Sequence, residues 1–170
     1  MPLTDAQIDR YSRQIIVPRI GGRGQERLLA ARMLLLGDAR DIEAPLEYLV
    51  GAGVGTIVTD AARSQGRFDL ALVIVGTEAA RKTACAAMEN TDARALIVAR
   101  LDTPGKIIVA RNARSPLSFD EPVGSRSDAA DFIAMLATAE AFKLLAGYAE
   151  SPAPAIIDFD GYATSVRAHP

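Results

Sequence analysis

Apolar and polar positions along this chain fall into blocks that switch between the period of a helix and that of a buried strand. Four short runs are apolar without interruption: Met33-Leu34-Leu35-Leu36, Leu70 to Val75, Leu96-Ile97-Val98 and Ile107-Ile108-Val109. Strands with no polar face are what a sheet covered on both sides requires. Thr56 to Thr59, Ala155 to Asp158 and Thr164 to Arg167 are further predicted strands. Between the strands lie helical segments. Thr4 and Gln7 have the spacing of a capping box, which opens a helix from Asp5 through Tyr11. Gly21-Gly22-Arg23-Gly24 predicts a break before a second helix, Gln25 to Ala31. Glu43 to Gly51, Glu78 to Met88 and the Ala-rich Asp128 to Leu145 complete the helices, the last ended by Gly147. Asp102-Thr103-Pro104-Gly105 reads as a turn.

Strands alternating with helices predict an α/β, Rossmann-like domain. Its sheet is expected to be mainly parallel, with helices on both faces and a helical segment in front. The whole chain, 1–170, reads as one domain. Residues 1–31 form the N-terminal helices, 32–110 the core, 111–127 a crossover loop and 128–170 the closing helix and strands. The closing helix carries Phe132, Met135, Leu136 and Ala139, more apolar positions than one face needs to cover one core. This excess fits either a dimer face or a helix buried wholly within one subunit.

Composition narrows the function by exclusion. A net charge of −2 gives no footprint for nucleic acid. No apolar run approaches the roughly 20 residues that span a bilayer. The opening Met-Pro-Leu-Thr-Asp lacks the basic and apolar regions of a signal peptide, so a cytoplasmic location is expected. With one cysteine, Cys85, and one histidine, His169, there is no internal disulfide, thiolate zinc cage or Ser-His-Asp triad. Cys85 reads as a buried structural residue and His169 as part of a tail. The sixteen arginines against three lysines reflect either genome composition or recognition of phosphate and carboxylate groups.

Several blocks of sequence bring a family into view. Arg10-Tyr11-Ser12-Arg13-Gln14-Ile15-Ile16 is one, and Gly24-Gln25-Glu26-Arg27-Leu28 another. Glu47-Tyr48-Leu49-Val50-Gly51-Ala52-Gly53-Val54-Gly55 is the longest. Phe68-Asp69-Leu70-Ala71-Leu72, Gly105-Lys106-Ile107 and Ala139 to Gly147 follow in order. Together they resemble the ThiF/MoeB/HesA adenylating enzymes, whose fold is that of the ubiquitin-activating enzymes. The resemblance implies a nucleotide-binding fold, usually dimeric. In active relatives it uses ATP and magnesium to adenylate the terminal glycine of a ubiquitin-like sulfur carrier.

Against that chemistry the chain departs in four places. The Gly-rich turn of active relatives becomes Gly37-Asp38-Ala39-Arg40-Asp41-Ile42, where only the first glycine remains. Asp38 and Asp41 place negative charge where phosphate would sit, and Arg40 is the residue expected to offset it. Gly55 and Asp69 are only 14 positions apart, so the family insert that handles the triphosphate is absent. The magnesium-binding aspartate falls on Gly76, and the zinc-binding Cys pairs are missing. By resemblance, Gly37, Ala39, Arg40 and Asp60 are the vestigial nucleotide-binding positions, with Asp60 at the ribose hydroxyls. Arg13 matches the arginine that reaches the neighbouring subunit's ATP; it serves that role or an ion pair at a dimer interface.

The sequence therefore predicts a degenerate, truncated ThiF/MoeB-like pseudoenzyme with no catalytic residue, metal site or resident cofactor. Its expected role is a dimeric scaffold, or a partner subunit for an active relative or ubiquitin-like carrier. The alternative is a divergent adenylyltransferase that still binds ATP and magnesium. A third is an unrelated small-molecule binding role on the same fold.

Overall fold

The computed structural model describes residues 2–110, 121–148, 155–159 and 164–168. Helix α1 (Asp5–Ile15) begins with the expected capping box, in which the Thr4 side chain accepts from Gln7 N–H and the Gln7 side chain from Thr4 N–H. Helix α2 spans Gly21–Ala30. The four glycine-rich residues predicted as a break are thus its first turn. Gly24 explains their place, since a β-carbon there would lie 2.9 Å from Ile20 and 3.1 Å from the Ala146 carbonyl. Strand β1 (Arg32–Leu36) leads to α3 (Ala39–Gly51), which starts four residues earlier than the sequence pattern predicts. Pro45 masks that start: it is the seventh residue of the helix, past the first turn where proline is tolerated, so the sequence pattern favours a start just before it.

After β2 (Thr56–Val58), a short 3-10 turn (Ala61–Arg63) and β3 (Gly66–Phe68) bring the chain to β4 (Leu70–Val75). Helix α4 (Glu78–Met88) and β5 (Thr91–Ala93) follow, then β6 (Leu96–Arg100) and β7 (Gly105–Ala110). The long helix α5 covers Ala130–Ala146 and ends on Gly147 in the left-handed conformation. Strands β8 (Ala155–Phe159) and β9 (Thr164–Ala168) close the chain.

The central sheet runs β2-β1-β4-β6-β7-β8-β9. Strands β2, β1, β4 and β6 pair in parallel, and β7, β8 and β9 extend the sheet as an antiparallel meander. Alternate residues of the apolar runs feed two cores. Met33, Leu35, Leu70, Leu72, Ile74 and Ile97 face α2, α3 and α5, whereas Leu34, Leu36, Val73 and Val98 face α4. Each fully buried leucine contributes about 2 kcal/mol by leaving water. β3 and β5 form a small parallel pair that periodicity did not reveal, being three residues each. The Gly53-Val54-Gly55 turn is dictated by close approach: a β-carbon on Gly55 would stand 2.0 Å from the Leu29 carbonyl oxygen.

A strap formed by residues 121–127 crosses the carboxyl end of β6 on the way to α5. The buried pair Arg100–Asp102 holds it, with Arg100 donating to Asp102 and to the Glu121 and Pro122 carbonyls at 2.6 to 3.1 Å. The Gly124 N–H donates to Asp102 at 2.9 Å. Burial pushes the Asp102 carboxyl up, but the Arg100 and Gly124 donors outweigh it and leave the group below its usual range. At the strap's edge the Val123 N–H donates to Glu78 Oε2 at 3.3 Å. Hydrogen bonds from Arg81 hold the Glu78 carboxyl down to about 2.

A group with a depressed folded pKa stabilises the native state above its unfolded pKa and stops doing so as pH falls through the folded value. Glu78 should therefore contribute down to about pH 4.5 and lose that contribution progressively toward about pH 2. Urea midpoints of the wild type should fall over this window more steeply than those of Glu78→Gln, the two curves meeting near its acid end. Parallel curves would show that the Glu78 carboxylate, held chiefly by Arg81, adds nothing to native stability over this range.

Candidate functional site

The strand order puts a topological switch point between β1 and β4, because the chain leaves β1 toward β2 on one side and β4 lies on the other. Open α/β sheets bind ligands at the carboxyl ends of strands beside such a point. Here those ends lead into Gly37-Asp38 before α3 and Gly76-Thr77 before α4. The two turns are tied together. Thr77 Oγ1 donates to Asp38 Oδ2 at 2.7 Å while accepting the Ala80 N–H at 3.1 Å as the cap of α4.

Deeper in, the crevice is filled by the chain itself. Asp41, in the first turn of α3, has a side chain only 3% exposed, and its Oδ1 accepts from Arg126 Nη1 at 2.8 Å. The start of a helix favours a carboxylate, and the guanidinium supplies the opposite charge. Arg126 also donates to Asp131 at 3.0 Å. A β-carbon at Gly76 would lie 2.0 Å from Asp41 Oδ2 and 3.1 Å from Arg126 Nη1. No side chain fits at position 76 while this pair is formed. Gly37 is confined similarly, its added β-carbon being 2.7 Å from Ile42 and 2.8 Å from the Ile74 carbonyl. The pair is mutually dependent, since removing Arg126 would leave a buried carboxylate at a cost of about 3 kcal/mol.

Of the residues singled out in the sequence, Gly37 and Asp60 come together. They line a recess of about 320 Å³ with Asp38, Ala80, Thr83 and Ala84. Asp60 is committed to its own loop, accepting the Ala62 N–H at 2.9 Å. Ala39 and Arg40 are the exposed first residues of α3 and do not line that recess. Arg40 makes no ion pair among the described residues, so the expected offset of Asp41 is corrected: Arg126, 85 positions along the chain, supplies it. Arg13 is exposed in the last turn of α1, apart from the recess. Cys85 is half-buried rather than buried, on α4 with the Arg81 guanidinium 4.0 Å from its sulfur. His169 lies outside the described residues. Among the described residues no helix is long and apolar enough to cross a membrane, and no group of three or more His, Cys, Asp or Glu is placed to hold a metal. Arg126 and Thr77 escaped the sequence reading because pairing across such separations leaves no local pattern.

Comparison with known proteins finds matches over part of the chain in sequence and over nearly all of it in structure. No family model matches the chain. The adenylyltransferase and sulfurtransferase uba4 of Pyricularia oryzae is 49% identical over 57 residues, which is 33% of this chain and 11% of that protein. The sulfur carrier protein adenylyltransferase of Thermus thermophilus is 47% identical over 58 residues, 34% of this chain and 21% of that protein. The matches thus span no more than about a fifth of these relatives' length. Among solved structures, E. coli MccB with AMPCPP and MccA superposes with a TM-score of 0.64 at 12% identity, over 95% of this chain and 71% of MccB. PaaA gives a TM-score of 0.59 at 14% identity, over 98% of this chain and 74% of PaaA. About a third of the chain is thus nearly half identical to sulfur carrier adenylyltransferases, and the chain as a whole has the Rossmann-like fold of MccB and PaaA.

Proposed function

We propose that this protein is a catalytically inactive ThiF/MoeB-like subunit, a dimeric scaffold or partner in the activation of a sulfur carrier or ubiquitin-like protein. One observation carries the inactive reading: the Asp41–Arg126 pair occupies the space beside Gly76. That is where the resemblance puts the magnesium-binding acid. An acid cannot be restored at position 76 without displacing Asp41, and the Asp41 carboxylate repels the phosphates a helix N-terminus would otherwise attract. Nucleotidyl transfer depends on positioning and charge stabilisation, and this edge of the sheet supplies neither.

The partner role rests on α5 and α3. Phe132 is 61% exposed on α5, with Met135, Leu136 and Ala139 half-buried beside it. Tyr48 and Val50 of α3 are 45% and 52% exposed, Tyr48 lying edge-on to Phe142 of α5. The helix is therefore not buried wholly within one subunit. Its apolar outer surface is of the kind an oligomer interface covers. A retained Arg13 would then face a partner's phosphates. The recess beside Asp60 favours a second reading, a divergent adenylyltransferase that holds the nucleoside part of ATP with magnesium.

Pyrophosphate exchange separates the two. The purified chain should give no ATP–pyrophosphate exchange above a no-enzyme blank with any glycine-terminated carrier. Steady exchange, abolished by Asp60→Ala, would establish the second reading instead.

Light scattering tests the partner role. The chain alone should run near twice 18.0 kDa, or shift from monomer to heterodimer when an active ThiF/MoeB-like protein is added. A monomer under both conditions contradicts it.

A further inference from the structure

Charge is distributed unevenly along the chain. Residues 10–27 hold five arginines, one glutamate and no lysine, a net +4 in a chain of net −2, which leaves −6 on the rest. Ion pairing divides along the same line. Arg63, Arg67, Arg81, Arg94, Arg100 and Arg126 each pair with a carboxylate at 2.5 to 3.7 Å. Among the described residues no arginine from Arg10 to Arg40 does, and those up to Arg27 are all exposed.

This unpaired charge is displayed from one folded corner. Backbone hydrogen bonds of 2.8 to 3.2 Å run without a gap from Ile16–Ser12 to Gly24–Ile20, so the end of α1 passes directly into α2. Two of the guanidiniums lie over aromatic rings. Arg10 is 5.5 Å from the centre of the Tyr11 ring and Arg19 5.1 Å from that of Tyr148, within the range of a cation–π contact. Between them the corner exposes apolar surface, with Ile16 77% and Val17 38% exposed.

An apolar centre rimmed by arginine is the composition of a protein interface, where Arg is enriched and Lys depleted. Guanidinium forks match carboxylates in pairs. The −6 carried by the rest of the chain repels an extended polyanion such as a charged membrane or a nucleic acid, whereas a short anionic segment meets only the local +4. We propose that the α1–α2 corner docks an acidic protein segment that carries apolar residues among its carboxylates. The inference is independent of what the nucleotide edge binds and of the surface of α3 and α5.

Amide chemical-shift titrations on the intact chain test it with a short peptide in which glutamates flank a pair of leucines. Saturable shifts should centre on Ile16, Val17, Arg19 and Arg23 and weaken as salt is raised. The same peptide with glutamine for each glutamate, or with serine for each leucine, should bind at least about tenfold more weakly, the loss expected when charge-assisted or apolar contacts are missing. The chain should not co-sediment with phosphatidylglycerol vesicles. The Arg10→Gln, Arg19→Gln, Arg23→Gln variant, with its spectrum unchanged away from the corner, should lose the peptide shifts. Arg13 stays in that variant, so the outcome is separate from any role it has toward a partner's phosphates. Equal binding by the glutamine or serine peptide, shifts centred on α3 and α5, vesicle binding, or no saturable shift overturns the proposal. So does light scattering in which the wild type is a dimer and the variant a monomer, which would assign the corner to a second copy of this chain. The comparison of peptides needs no variant, so a misfolded one leaves the test intact.

Discussion

The ion pair between Asp41 and Arg126 determines how the crevice at the carboxyl ends of β1 and β4 is filled. A carboxylate in the first turn of α3 lies where a helix offers unpaired N–H groups and positive potential, the usual setting for a bound phosphate. In this chain the anion belongs to the protein. Its counter-charge comes from the strap that crosses the sheet, so residues 85 positions apart are joined by one contact. Gly76 follows as a consequence: only glycine leaves room for the Asp41 carboxylate 2.0 Å from where a β-carbon would stand. On the proposed reading, the missing metal-binding acid and the internal pair are a single change seen from two sides.

The rest of the crevice conforms to that arrangement. The strap can carry Arg126 to Asp41 because Arg100 and Asp102, both buried, fix residues 121–124 above β6. A buried ion pair is only as good as its hydrogen bonding, and this one is well supplied with backbone partners. The Thr77–Asp38 bond ties the turns before α3 and α4 together. What stays open is the recess beside Asp60, together with the apolar surface of α3 and α5. On the proposed reading, a filled crevice and uncovered apolar helices suit the protein to being held by another protein.

Much of this fold was legible because its strands are buried on both faces. Continuous runs such as Leu70 to Val75 announce themselves, as does a capping box at Thr4 and Gln7. The start of α2 was not legible, since glycines that normally break a helix were selected here for close packing of Gly24 on α5. The start of α3 was obscured by Pro45, and three-residue strands such as β3 carry too little pattern to read. At the site, the resemblance implied missing groups at Ala39, Ile42 and Gly76. It did not reveal what fills the space. Arg40 was the nearest cation in sequence, but its position at the exposed start of α3 turns it to solvent, and tertiary folding delivers Arg126 instead. Local pattern can suggest a missing group; only the folded chain shows what occupies its place.

Calorimetric titration of ATP-magnesium into the wild type and into Asp41→Ser is the most direct measurement of this account. The variant removes the internal anion while Arg126 keeps its contact with Asp131 at 3.0 Å, so no buried charge is left alone. The wild type should show no binding at millimolar nucleotide. The variant, with Arg126 and the start of α3 released, should gain measurable affinity, since each charge-assisted contact to phosphate is worth about 1.5 to 3 kcal/mol. Low-micromolar binding by the wild type, with Asp41 intact, would contradict the claim that the phosphate site is already filled.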